Sequence, residues 1–210
     1  MHIVVFANGE PPTKSTIEEF SQGADLIIAA DGGANNALSV DLIPNFIIGD
    51  MDSITDSTRS SIEKTRILID KNPEKTDLEK TIEACLSKGA TLIDVLCAGG
   101  GRADHALANL SILTRFGREA RIRIIDDFFE IELVNYKLHL KEPLGTVISL
   151  VALGRCLGIT TSGLRWNLNE ATFEFSTQGI HNEIVDNLAK IQVETGDLLL
   201  FKGRWIEKHS

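Results

Sequence analysis

The stretch TDLEKTIEACLSKGATLIDVLCAGGGRAD, residues 76–104, decides the architecture of this chain. Its first half has a helical period. Leu78, Ile82, Cys85 and Leu86 share one face, Thr76 and Glu79 form a capping box, and Gly89 supplies the stop, which predicts a helix over 77–88. The apolar run Leu92 to Cys97 then reads as a strand covered on both faces. After three glycines a second helix is expected from about Asp104 to Phe116, with Ala106, Leu107, Leu110 and Leu113 on its apolar face and Gly117 at its end. Helix, strand, glycine turn and helix form the repeating unit of a parallel sheet with right-handed crossovers.

Outward from this unit, the same alternation covers residues 1–127. Candidate strands are Ile3 to Ala7, Leu26 to Ala30, Phe46 to Ile48, Arg66 to Ile69, Leu92 to Cys97 and Arg121 to Ile125. Most are continuous apolar runs, so the first domain is expected to be α/β, Rossmann-like and three-layered, with a mostly parallel sheet. After Asp126-Asp127 the texture changes. Short strands are expected at Glu130 to Asn135, Lys137 to Leu140, Val147 to Leu153, Ala171 to Phe175, Lys190 to Val193 and Leu198 to Phe201. Turn signals such as Glu142-Pro143-Leu144-Gly145 separate them, and no sustained helical period occurs, so residues 128–210 read as an all-β sandwich or barrel.

A net charge of −9 argues against wrapping nucleic acid or lying on an anionic membrane; a cationic or metal-bridged ligand suits the surface better. No apolar run has membrane-spanning length, and Met1-His2 leads straight into a strand without a signal-peptide pattern. Cys85, Cys97 and Cys156 are odd in number, lack metal spacing and lie in apolar runs, which favours reduced core thiols in a cytoplasmic protein.

Four acidic segments, three of them glycine-bearing, fall at or just past strand ends: Ala30-Asp31-Gly32-Gly33, Gly49-Asp50-Met51-Asp52-Ser53, Lys75-Thr76-Asp77 and Gly100-Gly101-Arg102-Ala103-Asp104. In an open α/β sheet that edge binds ligands, and converging carboxylates suit Mg²⁺, which takes oxygen ligands together with substrate phosphates. Each segment also has a purely local reading. Asp31 precedes a glycine turn, Asp77 complements a helix dipole and Asp104 caps a helix. Recurrence at successive junctions is what favours a shared site. Gly99-Gly100-Gly101 before a helix offers backbone N–H groups to an anion, and Arg102 beside it can clamp a phosphate. The run is neither a dinucleotide fingerprint nor a P-loop. Lys75 and Lys80 read as phosphate partners or as solvated helix lysines, and His105 and Asn109 as site or surface residues.

Ala-Asp-Gly-Gly-Ala-Asn at 30–35, Gly-Asp-Met-Asp-Ser at 49–53, Lys-Thr-Asp-Leu-Glu-Lys at 75–80, Gly-Gly-Arg-Ala-Asp-His-Ala-Leu-Ala-Asn at 100–109 and Ser-Gly-Leu-Arg-Trp-Asn-Leu at 162–168 together resemble the thiamin pyrophosphokinase family, in order and over essentially the whole chain. The resemblance implies an α/β domain followed by a β-sandwich and a homodimer with active sites between subunits. The implied activity is transfer of the β,γ-pyrophosphoryl group of ATP to the hydroxyl of thiamin, giving thiamin diphosphate and AMP. It further implies that Asp50, Asp52 and Asp77 hold Mg²⁺ and are catalytic, with Asp31, Arg102, Asp104 and Asn109 on the nucleotide side.

In that resemblance Trp166 lines the thiamin site, and its flat face also suits a cationic thiazolium. Ser162 and Asn182 are further thiamin-site candidates. Without the motif, Trp166 reads as a core residue of a β-sandwich. The family usually has Ser before the Asn, so His181 is a departure. Two competing readings share these residues: a pyrophosphokinase or kinase for another small heterocyclic alcohol, and a non-catalytic ligand-binding homologue.

Overall fold

In the computed structural model, which describes residues 1–62 and 65–207, the chain divides into two compact units, Met1–Asp127 and a second beginning at Phe128. In the first, β1 (His2–Phe6), β2 (Leu26–Ala30), β3 (Phe46–Gly49), β4 (Arg66–Ile69), β5 (Leu92–Leu96) and β6 (Arg121–Ile125) alternate with α1 (Lys14–Ser21), α2 (Gly33–Leu38), α3 (Asp56–Ser61), α4 (Asp77–Ser87) and α5 (Ala103–Phe116). All their pairings are parallel, in the order β6-β5-β1-β2-β3-β4. The order reverses between β1 and β5, which makes the end of that pair a topological switch point, where open α/β sheets bind ligands.

Alternation along the strands supplies two apolar faces. Val4, Phe6, Ala29, Ile47, Leu96 and Ile125 pack with Ile17 and Phe20 of α1 and with Ala34 and Ala37 of α2. The intervening Ile3, Val5, Ile28, Ile48 and Ile93 are just as buried on the opposite side, where α4 packs on β2 and β3. Each such Ile or Phe contributes roughly 1.5–3 kcal/mol on burial, which sets the sheet as the rigid element from which its end loops project. Thr76 caps α4 by accepting a hydrogen bond from Glu79 N at 3.2 Å, and Gly89, at φ +82°, follows its end.

One strand departs from the expectation of coverage on both faces. Ile67, Leu68 and Ile69 of β4 are 44%, 43% and 66% exposed, because β4 is the edge strand and pairs only with β3.

In the second unit every pairing is antiparallel. The strands are β7 (Phe129–Leu133), β8 (Lys137–Leu140), β9 (Thr146–Ala152), β10 (Cys156–Ser162), β11 (Ala171–Phe173), β12 (Asn182–Glu183), β13 (Ala189–Gln192) and β14 (Leu198–Ile206). One layer runs β12-β9-β14-β7, the other β11-β10-β13-β8. Ile148, Leu150, Leu198 and Leu200 of the first layer share a core with Ile159, Phe173, Ala189 and Ile191 of the second, which makes a sandwich. Strands β10 and β12 were not expected. In β10 the pairing with β11 shifts register between Cys156 and Ile159, around Gly158 at φ +65°, and such a bulge breaks the period-two signal. The two residues of β12 are too few to carry a period.

Candidate active site

The carboxylates come from three successive junctions. Asp31 is the first residue after β2, Asp50 the first after β3, and Asp77 opens α4. Gly49 makes their approach possible. At φ +149°, a Cβ there would lie 2.8 Å from Asp31 Cβ and 3.1 Å from Asp77 Cγ, so any side chain would push the acids apart. Asp31 and Met51 take left-handed φ values of 43° and 68°, backbone strain of the kind that collects at binding sites.

One carboxylate oxygen each from Asp31, Asp50 and Asp77 lies within 4.8 Å of the others. Asp31 is buried. Its Oδ2 accepts a hydrogen bond from Ser53 N at 3.1 Å, whereas Oδ1 is buried with no hydrogen-bond partner. Burial raises the Asp31 carboxyl above its ordinary value, the Asp77 charge adds to that, and the bonds from Ser53 and Gly32 partly offset it. Lys80, expected as a phosphate partner or a solvated lysine, is buried instead. Its Nζ donates to Asp77 Oδ1 and to the Asp70 carbonyl, both at 3.0 Å. Asp52 does not join this group. The left-handed turn at Met51 carries it away, and its Oδ1 accepts a hydrogen bond from Ser53 Oγ at 2.9 Å.

Three like charges with a buried, undonated oxygen repel one another, and Lys80 is the one positive partner among the described residues. A hard cation with oxygen ligands relieves both defects, so the donor set fits Mg²⁺.

A cleft of about 640 Å³ adjoins the acids. It is bounded by the loop after β1 (Asn8, Gly9, Glu10), the glycine loop after β5 (Gly99, Gly100, Gly101), Thr76 and Asp77, and Arg102, His105 and Asn109 of the α5 start. It therefore lies at the switch point. Backbone bonds zip its two loops together: Gly9 N donates to Cys97 O at 2.7 Å and Glu10 N to Gly99 O at 2.9 Å. Asn36 Nδ2 donates to the carbonyls of Ala7 and Gly9, and Asn109 Nδ2 to the Ala98 carbonyl at 2.8 Å.

Arg102 points its guanidinium fork at Asp104, with Nε and Nη2 at 3.1 and 2.6 Å from the two carboxylate oxygens, and both side chains are exposed. The hydrogen bonds from Arg102 hold the Asp104 carboxyl down at about 2. Lys75 is engaged by Glu83 at 2.7 Å. The Asn8-Gly9-Glu10 loop and Asn36 escaped the sequence reading. The loop does carry a glycine followed by an acid just past the first strand, the same signal as Gly49-Asp50, whereas Asn36 carries none.

In the second unit, Ser162 ends β10 and is exposed, and Trp166 is 59% exposed rather than buried in the sandwich core. Asn182 begins β12 and is bonded to the backbone of Trp166. His181 has a left-handed φ of 59° and donates its N–H to Ser149 Oγ at 2.9 Å.

Two family models match the chain: "Thiamin pyrophosphokinase, catalytic domain" over residues 17–125 and "Thiamin pyrophosphokinase, vitamin B1 binding domain" over residues 135–200. Thiamine pyrophosphokinase 2 of Oryza sativa subsp. japonica is 33% identical, with 84% of this chain and 77% of the relative covered. Thiamine pyrophosphokinase of Bacillus subtilis is 26% identical over 96% of this chain and 98% of the relative. A crystal structure of the enzyme from Bacillus subtilis superposes with a TM-score of 0.86 at 25% identity, covering 97% of this chain and 99% of that one.

Proposed function

We infer the chemistry of the site from one premise: the chain belongs to the thiamin pyrophosphokinase family, matching both of its domain models. Its function is that of a thiamine pyrophosphokinase, a transferase that makes thiamin diphosphate. No helix among the described residues is long and apolar enough to cross a membrane.

At the level of residues, the observation that carries the reading is the convergence of Asp31, Asp50 and Asp77 beside the switch-point cleft. ATP lies in the cleft, with its phosphates toward the backbone N–H groups of the glycine loop and toward Arg102. Asp31, Asp50 and Asp77 would hold Mg²⁺, and Asp52 follows Asp50 closely in the chain. When bound, the cation offsets charge on the triphosphate. The thiamin hydroxyl oxygen attacks the β-phosphorus, and the bond from that phosphorus to the bridging oxygen of the α-phosphate breaks. AMP leaves, and a carboxylate of the cluster accepts the hydroxyl proton. The work of the protein is alignment: rigid strand ends hold acceptor and phosphorus in line, which is where most of the acceleration of such transfers arises.

Trp166 packs on the thiamin rings, with Ser162 at the end of β10 where the Trp166 loop begins. Following the family resemblance, the enzyme is a homodimer whose sites form between subunits. The buried, unbridged Cys85, Cys97 and Cys156 fit a reducing, cytoplasmic setting.

A coupled assay tests the whole reading. AMP should form from ATP only when thiamin and Mg²⁺ are both present. Formation of ADP, or no turnover, would sink it.

A further inference from the structure

Asn182 makes hydrogen bonds that leave little for a substrate. Its Oδ1 accepts from Trp166 N at 3.1 Å and from Glu183 N at 2.9 Å, and its Nδ2 donates to the Trp166 carbonyl at 2.7 Å. Both lone pairs of the side-chain oxygen are therefore occupied, and the amide orientation is settled, since a flipped amide would set N–H against N–H. The two residues lie 16 positions apart, so the amide works as a staple across the loop that presents the indole.

The surrounding contacts lock the same loop from both sides. Arg165 N donates to Glu183 O at 2.9 Å and Val185 N to Gly163 O at 2.9 Å, with a bridge between Leu164 and Ile184. Gly163 has φ +76°, and a Cβ there would lie 2.7 Å from Leu188 O, so the loop leaves β10 by a path only glycine permits. The Arg165 guanidinium pairs with the buried Glu183 carboxylate and lies 5.8 Å from the centre of the Trp166 ring. An exposed tryptophan thus stands on backbone that is held as firmly as a strand. That rigidity lowers the entropy lost when a flat ligand stacks on it.

We propose that Asn182 is a positioning residue. It acts on thiamin through the backbone of Trp166 rather than by touching the substrate. This rests on the reading of Trp166 as the thiamin contact, and the test separates the two.

In a Trp205→Phe background Trp166 is the only indole, and four forms are compared: parent, Asn182→Ala, Trp166→Ala and the double variant. Asn182→Ala should raise the thiamin KM about tenfold with kcat and the ATP KM nearly unchanged, and should lower the fluorescence anisotropy of the free protein as the indole loosens. The double variant should be no worse for thiamin than Trp166→Ala alone, because both substitutions act through one ring. Losses that multiply to about a hundredfold would show direct contact between Asn182 and thiamin and overturn the proposal. An unchanged KM and anisotropy in Asn182→Ala would overturn it as well. An unchanged thiamin KM in Trp166→Ala would instead remove the reading of Trp166, and the proposal with it. Should Asn182→Ala fail to fold, Asn182→Asp carries the same cycle, since it keeps the shape and the acceptor but loses the donor to the Trp166 carbonyl.

Discussion

The strand ends of the first unit and the Trp166 loop of the second are built on different principles. At the strand ends, charge is gathered at a cost. Asp31 keeps a buried oxygen without a donor, and Asp31, Asp50 and Asp77 face one another across less than 4.8 Å. In the Trp166 loop the Asn182 amide and the Arg165–Glu183 pair close on the protein itself. On the reading proposed above a cation completes the first region, whereas the second is held by its own contacts. A buried oxygen without a donor beside a cleft is open to a ligand, whereas a stacking platform gains from being finished in advance.

The largest expected effect breaks that contrast at its charged end. Asp50→Asn or Asp31→Asn should lower kcat by roughly a thousandfold, the scale for removing one group that stabilises transferred charge. Stability should move the other way for Asp31. Its raised carboxyl value means that the folded state binds this proton more tightly than the unfolded chain does. The ionised form therefore costs stability progressively as pH rises from 3.8 through the folded value. Asp31→Asn should remove that cost and raise the thermal midpoint in metal-free buffer. Differential scanning calorimetry with and without Mg²⁺ checks this. A midpoint that falls would show that Asp31 is a structural turn residue instead.

A smaller effect joins the two regions. If each site draws its carboxylates from one subunit and Trp166 from the other, Asp50→Asn and Trp166→Ala chains complement each other. Mixed in equal amounts, they form hybrids in which one of the two sites is intact. Random exchange then restores about one quarter of wild-type activity, measured at thiamin concentrations where Trp166→Ala alone is silent. Sites made within single chains would show no recovery.

How much of this was legible in the sequence differs between the regions for the same reason. The parallel sheet and the helices α4 and α5 were readable because their signals are contiguous: apolar runs, the Thr76 cap and the glycine stops. Strand β10 was not, because the bulge at Gly158 breaks its alternation, and β4 looked covered because composition does not reveal which strand lies at the edge. The acidic group was legible only as a set of candidates. Asp50 and Asp52, two apart, would share a side in extended chain, but Met51 at φ 68° turns the backbone between them, and Asp31 from another junction takes the third place. Asn182 was readable as a site residue by resemblance. That its amide bonds to a backbone 16 residues away is a property of the fold and leaves no local trace.

The smallest expected effect concerns Arg102, whose guanidinium is held by Asp104 on the rim of the strand-end cleft. Two charges act here in opposite senses. Asp104 keeps the guanidinium oriented, yet on the reading proposed above its own negative charge stands where a triphosphate approaches. A phosphate carries more charge than a carboxylate and takes the same fork, so it can displace Asp104 as the partner of Arg102. Neutralising Asp104 should then favour ATP slightly. Asp104→Asn is expected to lower the ATP KM about twofold to threefold at low ionic strength and to have no effect at high salt, with the thiamin KM unchanged. Because the Asp104 value is depressed, its contribution to stability is present above 3.8 and lost as pH falls through about 2, so the wild type and Asp104→Asn should differ in stability at neutral pH and converge in strong acid. That difference should be small, since the pair is fully exposed and screened by water. A tenfold rise in the ATP KM would mean that Asp104 itself binds the nucleotide, and the strand-end region would then hold a second finished contact of the kind seen at Asn182.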